Sequence, residues 1–188
     1  MPAPHRPRGS QKLEAALAAF DLPAQDRIAL DAGASTGGFT LALLEAGVRR
    51  VYAVDAGYGQ LLGSLRIDPR VVNLERTNLG QLTPALVPDQ LEVITLDLSY
   101  LAVAAAIPQL DGLRIAHDAD LVALVKPTFE LRLARPPADP ATARQALEQA
   151  VTGVEAAGWR VVASIESPVR GSGGTIEFLL HARPAGGR

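Results

Sequence analysis

The chain contains no cysteine, which removes disulfides, thiolate metal sites and a thiol nucleophile together. Its three histidines, His5, His117 and His181, lie far apart without metal-ligand spacing, and no metal is expected. Lysine is almost absent too: Lys12 and Lys126 are the only two among eighteen lysines and arginines. A net charge of −2 gives no global case for a polyanionic partner, so any such site must be a local patch. No apolar run approaches the ~20 residues of a membrane span. The basic, proline-rich start "MPAPHRPRGS" leads into the amphipathic "QKLEAALAAF", not into an apolar signal core. A cytoplasmic protein with no membrane partner is the expectation.

The 188 residues, 48% hydrophobic and 20% charged, suffice for one globular domain with a sizeable core. Residues 1–9 and 184–188 read as loose ends; no repeat or domain-splitting linker intervenes. Residues 11–20 predict a helix with Leu13, Leu17 and Phe20 on one face and Ser10 as N-cap. Strands follow in "DRIALDAG", "RRVYAVDAG", "PRVVNLERTN", "QLEVITLDLSY" and "DADLVALVK", with helices in "TGGFTLALLEAG", "YGQLLGSLR" and "LAVAAAIPQL". Asp139-Pro140 marks the start of a long helix ending near Gly158. "WRVVASIES" and "GGTIEFLLHAR" close the chain as two strands around the Gly-rich "VRGSGG". This alternation predicts an α/β fold, a Rossmann-like, doubly wound and mostly parallel seven-stranded sheet with an antiparallel C-terminal hairpin. Ligands of such sheets bind beyond the carboxyl ends of the strands, where Asp31, Asp55, Asp97 and Lys126 all fall.

"LDAGASTGGFT" follows the first strand and opens a helix, the place of a nucleotide-binding loop. It lacks the Gly-Lys-Ser/Thr ending of a Walker loop, and Ser35 stands where a dinucleotide fingerprint has its middle glycine. That glycine normally lets backbone approach a pyrophosphate. Its loss favours a nucleoside ligand without phosphates, such as S-adenosylmethionine. Asp31 and the loop amides suit its amino-acid end, and Asp55 its ribose diol. Among methyl acceptors, a base carbon usually needs a cysteine nucleophile, which is missing. An exocyclic amine usually needs an Asp/Asn/Ser-Pro-Pro-aromatic loop, whose place is taken by Asp97-Leu98-Ser99-Tyr100. Asp97 and Lys126 remain at the strand ends, joined by Glu177 on the last strand and by Lys12 if the first helix packs over the cleft, a group suited to a weakly acidic hydroxyl. Lysine can exchange its proton, whereas arginine effectively cannot. Lys126 as base and Lys126 as stabiliser of a developing alkoxide both stay open. Tyr100 is a candidate substrate contact; Phe39 and Tyr58 fit packing better than base stacking.

The segments "RGSQKLEAAL", "DAGASTGGFT", "VYAVDAGYGQL", "DPRVVNLERTN", "LDLSYL", "DADLVALVKPTFE" and "GSGGTIEFLL" resemble the TlyA-type members of the FtsJ-like RNA 2′-O-methyltransferases, a group that includes hemolysin-like proteins. The resemblance covers nearly the whole chain in the expected order. It implies the class I methyltransferase fold, S-adenosyl-L-methionine as cofactor, and a catalytic tetrad of Lys12, Asp97, Lys126 and Glu177. It also implies cofactor contacts at Asp31, Gly33, Ser35, Thr36, Gly37, Gly38, Phe39, Asp55, Thr77, Asn78 and Asp97. The implied partner is structured RNA, above all ribosomal RNA or ribosomal subunits. Two departures would reduce the RNA-binding surface: the family's N-terminal S4 domain is expected to be missing, and the loop after the fifth strand is shortened to "LRLARPPADP". Arg6, Arg8, Arg49, Arg50, Arg66, Arg70, Arg132 and Arg135 are candidates for a basic rim, or else scattered solvated charge. The alternatives are O-methylation of a small-molecule hydroxyl, and a cofactor-binding hemolysin-like protein without RNA activity.

Overall fold

Residues Ile28–Ala32 form β1, buried on both faces and flanked by two parallel partners. In the computed structural model, which describes residues 6–137 and 139–186, the remaining strands are β2 (Arg50–Asp55), β3 (Val71–Glu75), β4 (Leu91–Leu96), β5 (Ile115–Val125), β6 (Trp159–Glu166) and β7 (Phe178–Pro184). They form one sheet in the order β3-β2-β1-β4-β5-β7-β6. Pairings among β1 to β5 are parallel, and β7 runs antiparallel to both its neighbours. The chain leaves β1 toward β2 and β3, then crosses to β4 and β5, so the strand order reverses between β1 and β4. A sheet opens a crevice beyond its strand ends at such a point.

The helices are α1 (Arg8–Ala19), α2 (Gly38–Glu45), α3 (Gly63–Arg66), α4 (Val103–Ala106), α5 (Pro127–Glu130) and α6 (Pro140–Ala156). Alternation along β5 feeds both faces of the sheet. Leu121, Ala123 and Val125 join Ala150 and Val154 of α6 on one side, while Val122 and Leu124 join Leu13 and Leu43 of α1 and α2 on the other. Side chains two apart on a strand share a face, and this doubly covered strand needs its near-continuous apolar run.

Several local expectations shift. α1 begins at Arg8, with Pro7 at its N-cap, because the Ser10 hydroxyl donates to the Pro7 carbonyl (2.9 Å) from within the first turn. The expected looseness of residues 1–5 and 187–188 lies outside the described residues, while Arg8, Gly9 and Pro184 belong to regular elements. The helix expected over residues 58–66 shrinks to the single turn of α3, since the Gln60 amide donates to the Glu75 carboxylate (3.1 Å) instead of starting a helix. That expected over residues 101–110 is α4 followed by a 3₁₀ turn, Ile107–Leu110, holding Pro108, which has no N–H to continue an α-helix. α6 starts as expected, with the Asp139 carboxylate accepting from the Thr142 amide (2.8 Å). The C-terminal strands form the expected antiparallel hairpin at one edge, with β6 outermost and β7 inside the sheet. Leu179–Ala182 are buried, whereas β6 alternates exposed and half-buried residues and suits the edge.

Candidate active site

The crevice at the β1–β4 reversal holds a cleft of about 240 Å³. Gly33 N–H and Ala34 N–H donate to the Val54 carbonyl (2.8 and 3.0 Å) and tie the loop after β1 to β2. Ala32, Val54, Leu79 and Leu98 supply apolar walls; Ser35, Asp55, Gln60 and Thr77 supply polar ones. The Asp55 carboxylate accepts from the amides of Ser35 (2.8 Å) and Gly57 (2.6 Å), which hold it at the mouth. An apolar slot ending in a fixed carboxylate fits a nucleoside, with the base against the walls and the ribose diol on the acid.

A second cavity, about 700 Å³, opens on the other side of the same loop and shares Gly33, Ser35 and Asp97 with the first. Lys12, Asp97, Lys126 and Glu177 all line it. They come from α1, the end of β4, the end of β5 and the approach to β7. Lys12 Nζ lies 2.5 Å from Glu177 Oε2, and Lys126 Nζ lies 2.6 Å from Asp97 Oδ1 and 2.9 Å from Ser99 Oγ. Oδ1 is buried against the Lys126 ammonium. Asp97 lines both cavities and stands where they meet. Lys12 reaches this point because α1 lies backbone to backbone on α2. A Cβ on Gly38 would come within 2.8 Å of Gly9 Cα, so only glycine permits the approach.

Not every expected cofactor contact faces a cavity. Thr36, Gly38 and Phe39 line the second one, and Gly33, Ser35, Asp55, Thr77 and Asp97 the first. Gly37 turns inward, toward Leu61 and Leu65. The Asn78 backbone amide is spent on Gln81 Oε1 (2.7 Å) at the start of a 3₁₀ turn. Asp31 departs most from expectation. It is fully buried, takes hydrogen bonds from Thr40 Oγ1 (2.6 Å) and Thr95 Oγ1 (3.1 Å), and joins α2 to β4 beneath the loop.

Burial pushes the Asp31 carboxyl up from 3.8 to about 6, against the two threonine hydrogen bonds. A raised carboxyl contributes stability below pH 4 that is lost as pH rises through 6, a cost of about 3 kcal/mol once the group is ionised. Asp31→Asn, which keeps an acceptor without the charge, is expected to gain stability over the parent between pH 4.5 and 7.5. Urea unfolding at the two pH values measures it, and a difference that does not change with pH contradicts this account.

Sequence reasoning missed three neighbours of the site. Ser99 holds the Lys126 amine, and its signal was its place two residues after Asp97. Glu130 is buried and accepts from the Val103 amide (2.8 Å), linking the turn after Lys126 to the loop after Asp97; burial raises its carboxyl to about 6. Arg170 lines the second cavity. Of the arginines expected on a basic rim, Arg8 lines the second cavity and the others line neither of the two. Arg6 pairs with Glu14 and Glu45, Arg50 with Asp89, Arg66 with Glu75 and Arg70 with Asp68. Arg49 precedes β2 at the far end of the sheet, and Arg132 and Arg135 are exposed beyond α5.

A match to the family described as FtsJ-like methyltransferase spans residues 5–184. The chain is 42% identical over 181 residues to the 16S/23S rRNA (cytidine-2′-O)-methyltransferase TlyA of Mycobacterium tuberculosis, covering 94% of this chain and 67% of that protein. It is 34% identical to Hemolysin A of Brachyspira hyodysenteriae, covering 93% and 75%. The solved structure of a Streptococcus thermophilus protein carrying the hemolysin label superposes with a TM-score of 0.89 at 34% identity, over 98% of this chain and 68% of that one. With its glycine loop, nucleoside cleft and Rossmann-like sheet, the chain belongs to the FtsJ-like methyltransferase family and takes S-adenosylmethionine as its methyl donor.

Proposed function

We propose that the protein methylates the 2′-hydroxyl of a ribose in RNA, with ribosomal RNA as the substrate. The observation that carries this reading is the meeting of the two cavities at Asp97: a nucleoside cleft on one side, two lysine–carboxylate pairs on the other. The relatives' names point the same way, since TlyA of M. tuberculosis is named for cytidine-2′-O methylation of 16S and 23S rRNA. When bound, S-adenosylmethionine supplies an electrophilic methyl group on a sulfonium. A ribose hydroxyl entering the second cavity meets the ammonium groups of Lys12 and Lys126, which stabilise negative charge as it develops on oxygen. Glu177 and Asp97 fix the two amines, and a carboxylate of these pairs or water takes the hydroxyl proton. Positioning supplies most of the acceleration, as expected when one oxygen must be aimed at one carbon. Tyr100, half exposed on the rim of the first cavity, would meet the incoming nucleotide from the cofactor side.

The hemolysin label on some relatives gains no support from the helices: among the described residues none is long and apolar enough to cross a membrane. The test is to offer labelled cofactor with ribosomal subunits and, separately, with a small-molecule extract. Label is expected in the ribosomal RNA; label confined to small molecules would overturn this reading.

A further inference from the structure

The second cavity extends past the lysine–carboxylate pairs to the loop between β6 and β7. Its carboxylates, Asp97 and Glu177, are matched one to one by Lys126 and Lys12. Arg8, on the α1 side, and Arg170, on the loop, are left over as cations on its walls. The chain as a whole is slightly acidic, so this cavity is a local reversal of sign. Arg170 holds one ion pair, to Glu166 at 3.3 Å, with both side chains half exposed; such pairs are weak and readily exchanged. The loop is fixed against the tetrad. A Cβ on Gly171 would run into the Glu177 carboxylate, so Gly171 packs directly on it. Gly171 N–H bonds the Thr175 carbonyl (2.9 Å) and Gly174 N–H the Gly171 carbonyl (3.1 Å). The amides of Ser172 and Gly173 make no hydrogen bond among the described residues.

We infer that Arg170 and the exposed amides of Ser172 and Gly173 bind the phosphodiester on the 3′ side of the ribose being methylated. This rests on the RNA reading above and adds to it. In RNA the 2′-oxygen and the 3′-phosphate sit on adjacent ribose carbons, so holding the hydroxyl at Lys12 and Lys126 carries the phosphate to the cavity wall. An arginine fork and free backbone amides are suited to that anion. A small alcohol without a neighbouring phosphate leaves the site unused. Arg170 exchanges Glu166 for phosphate when RNA arrives.

The test compares Arg170→Ala, Arg170→Lys and Glu166→Gln with the parent, using labelled cofactor and ribosomal RNA at several salt concentrations. For Arg170→Ala the effect is expected in KM for RNA, raised about tenfold, rather than in kcat. The slope of log KM against log salt should shrink by about one. Arg170→Lys should recover part of the loss, and Glu166→Gln should lower KM about twofold by releasing the arginine. Cofactor affinity measured by calorimetry should be the same in all four proteins. Cytidine 3′-monophosphate should inhibit the parent more strongly than cytidine, and Arg170→Ala should narrow that gap. An unchanged KM and salt slope, a loss confined to kcat, or equal inhibition by cytidine and its 3′-monophosphate overturns the phosphate site. If the parent methylates no RNA at all, the substrate reading itself fails, and the phosphate site with it.

Discussion

Lys126→Arg lowers the methylation rate at saturating RNA and cofactor by about 10³-fold, with cofactor affinity and thermal midpoint close to the parent values. Lys126 follows β5 and precedes α5, in extended backbone that any residue can adopt. Its side chain is 14% exposed, and its amine sits between Asp97 Oδ1 and Ser99 Oγ. A guanidinium keeps the charge but is planar and wider than an ammonium. It cannot occupy the place of a compact ammonium 2.6 Å from Asp97 without displacing either the carboxylate or the incoming hydroxyl. The cofactor cleft, on the far side of Asp97, has no wall from Lys126, so binding there should survive. Single-turnover kinetics and calorimetry together test this. Activity within tenfold of the parent would mean that charge alone, not an amine, is required.

Gly33→Ala is expected to have the largest effect on the scaffold. Gly33 has φ of +91°, and an added Cβ would run into the Asp97 carbonyl oxygen, which is backbone and cannot swing away. Strain at φ and overpacking together cost about 3 kcal/mol, a fall in thermal midpoint of about 6–12 °C for a chain of this size. Relief can come only by parting β1 from β4, and that moves Asp97 at the junction of both cavities. Displacing a reacting group by about an ångström costs about 100-fold in rate. Gly63→Ala is the control, because nothing lies within 4 Å of a Cβ there. If thermal unfolding gives the two variants the same midpoint, the close approach at Gly33 is not what holds the junction.

The parts of this site that were legible in the sequence are those set by strand ends. Asp55, Asp97 and Lys126 each close an apolar run, and a parallel sheet must deliver such residues to one edge. Lys12 and Glu177 were legible as candidates, but their pairing across 165 positions had no local signal, since it depends on how α1 packs over the cleft. Asp31 also closes a strand, but periodicity does not say that Thr40 and Thr95 will draw its carboxylate down into the core. Residues 58–66 carry a helical pattern, yet a carboxylate on β3 competes for the Gln60 amide, a tertiary contact that no propensity anticipates. Ser10 is a good N-cap by type, and it lost that place because α1 is set one turn earlier, where Gly9 rests on Gly38.

The central claim is that the methyl group goes to a ribose 2′-oxygen of RNA. Alkaline hydrolysis reads this directly, because cleavage of each linkage needs the free 2′-hydroxyl beside it. Ribosomal RNA is incubated with the purified protein and labelled S-adenosylmethionine, then hydrolysed completely with alkali. The account predicts label in alkali-resistant dinucleotides, absent when Lys126→Arg replaces the parent. Label recovered in mononucleotides, as base methylation would leave it, contradicts the account.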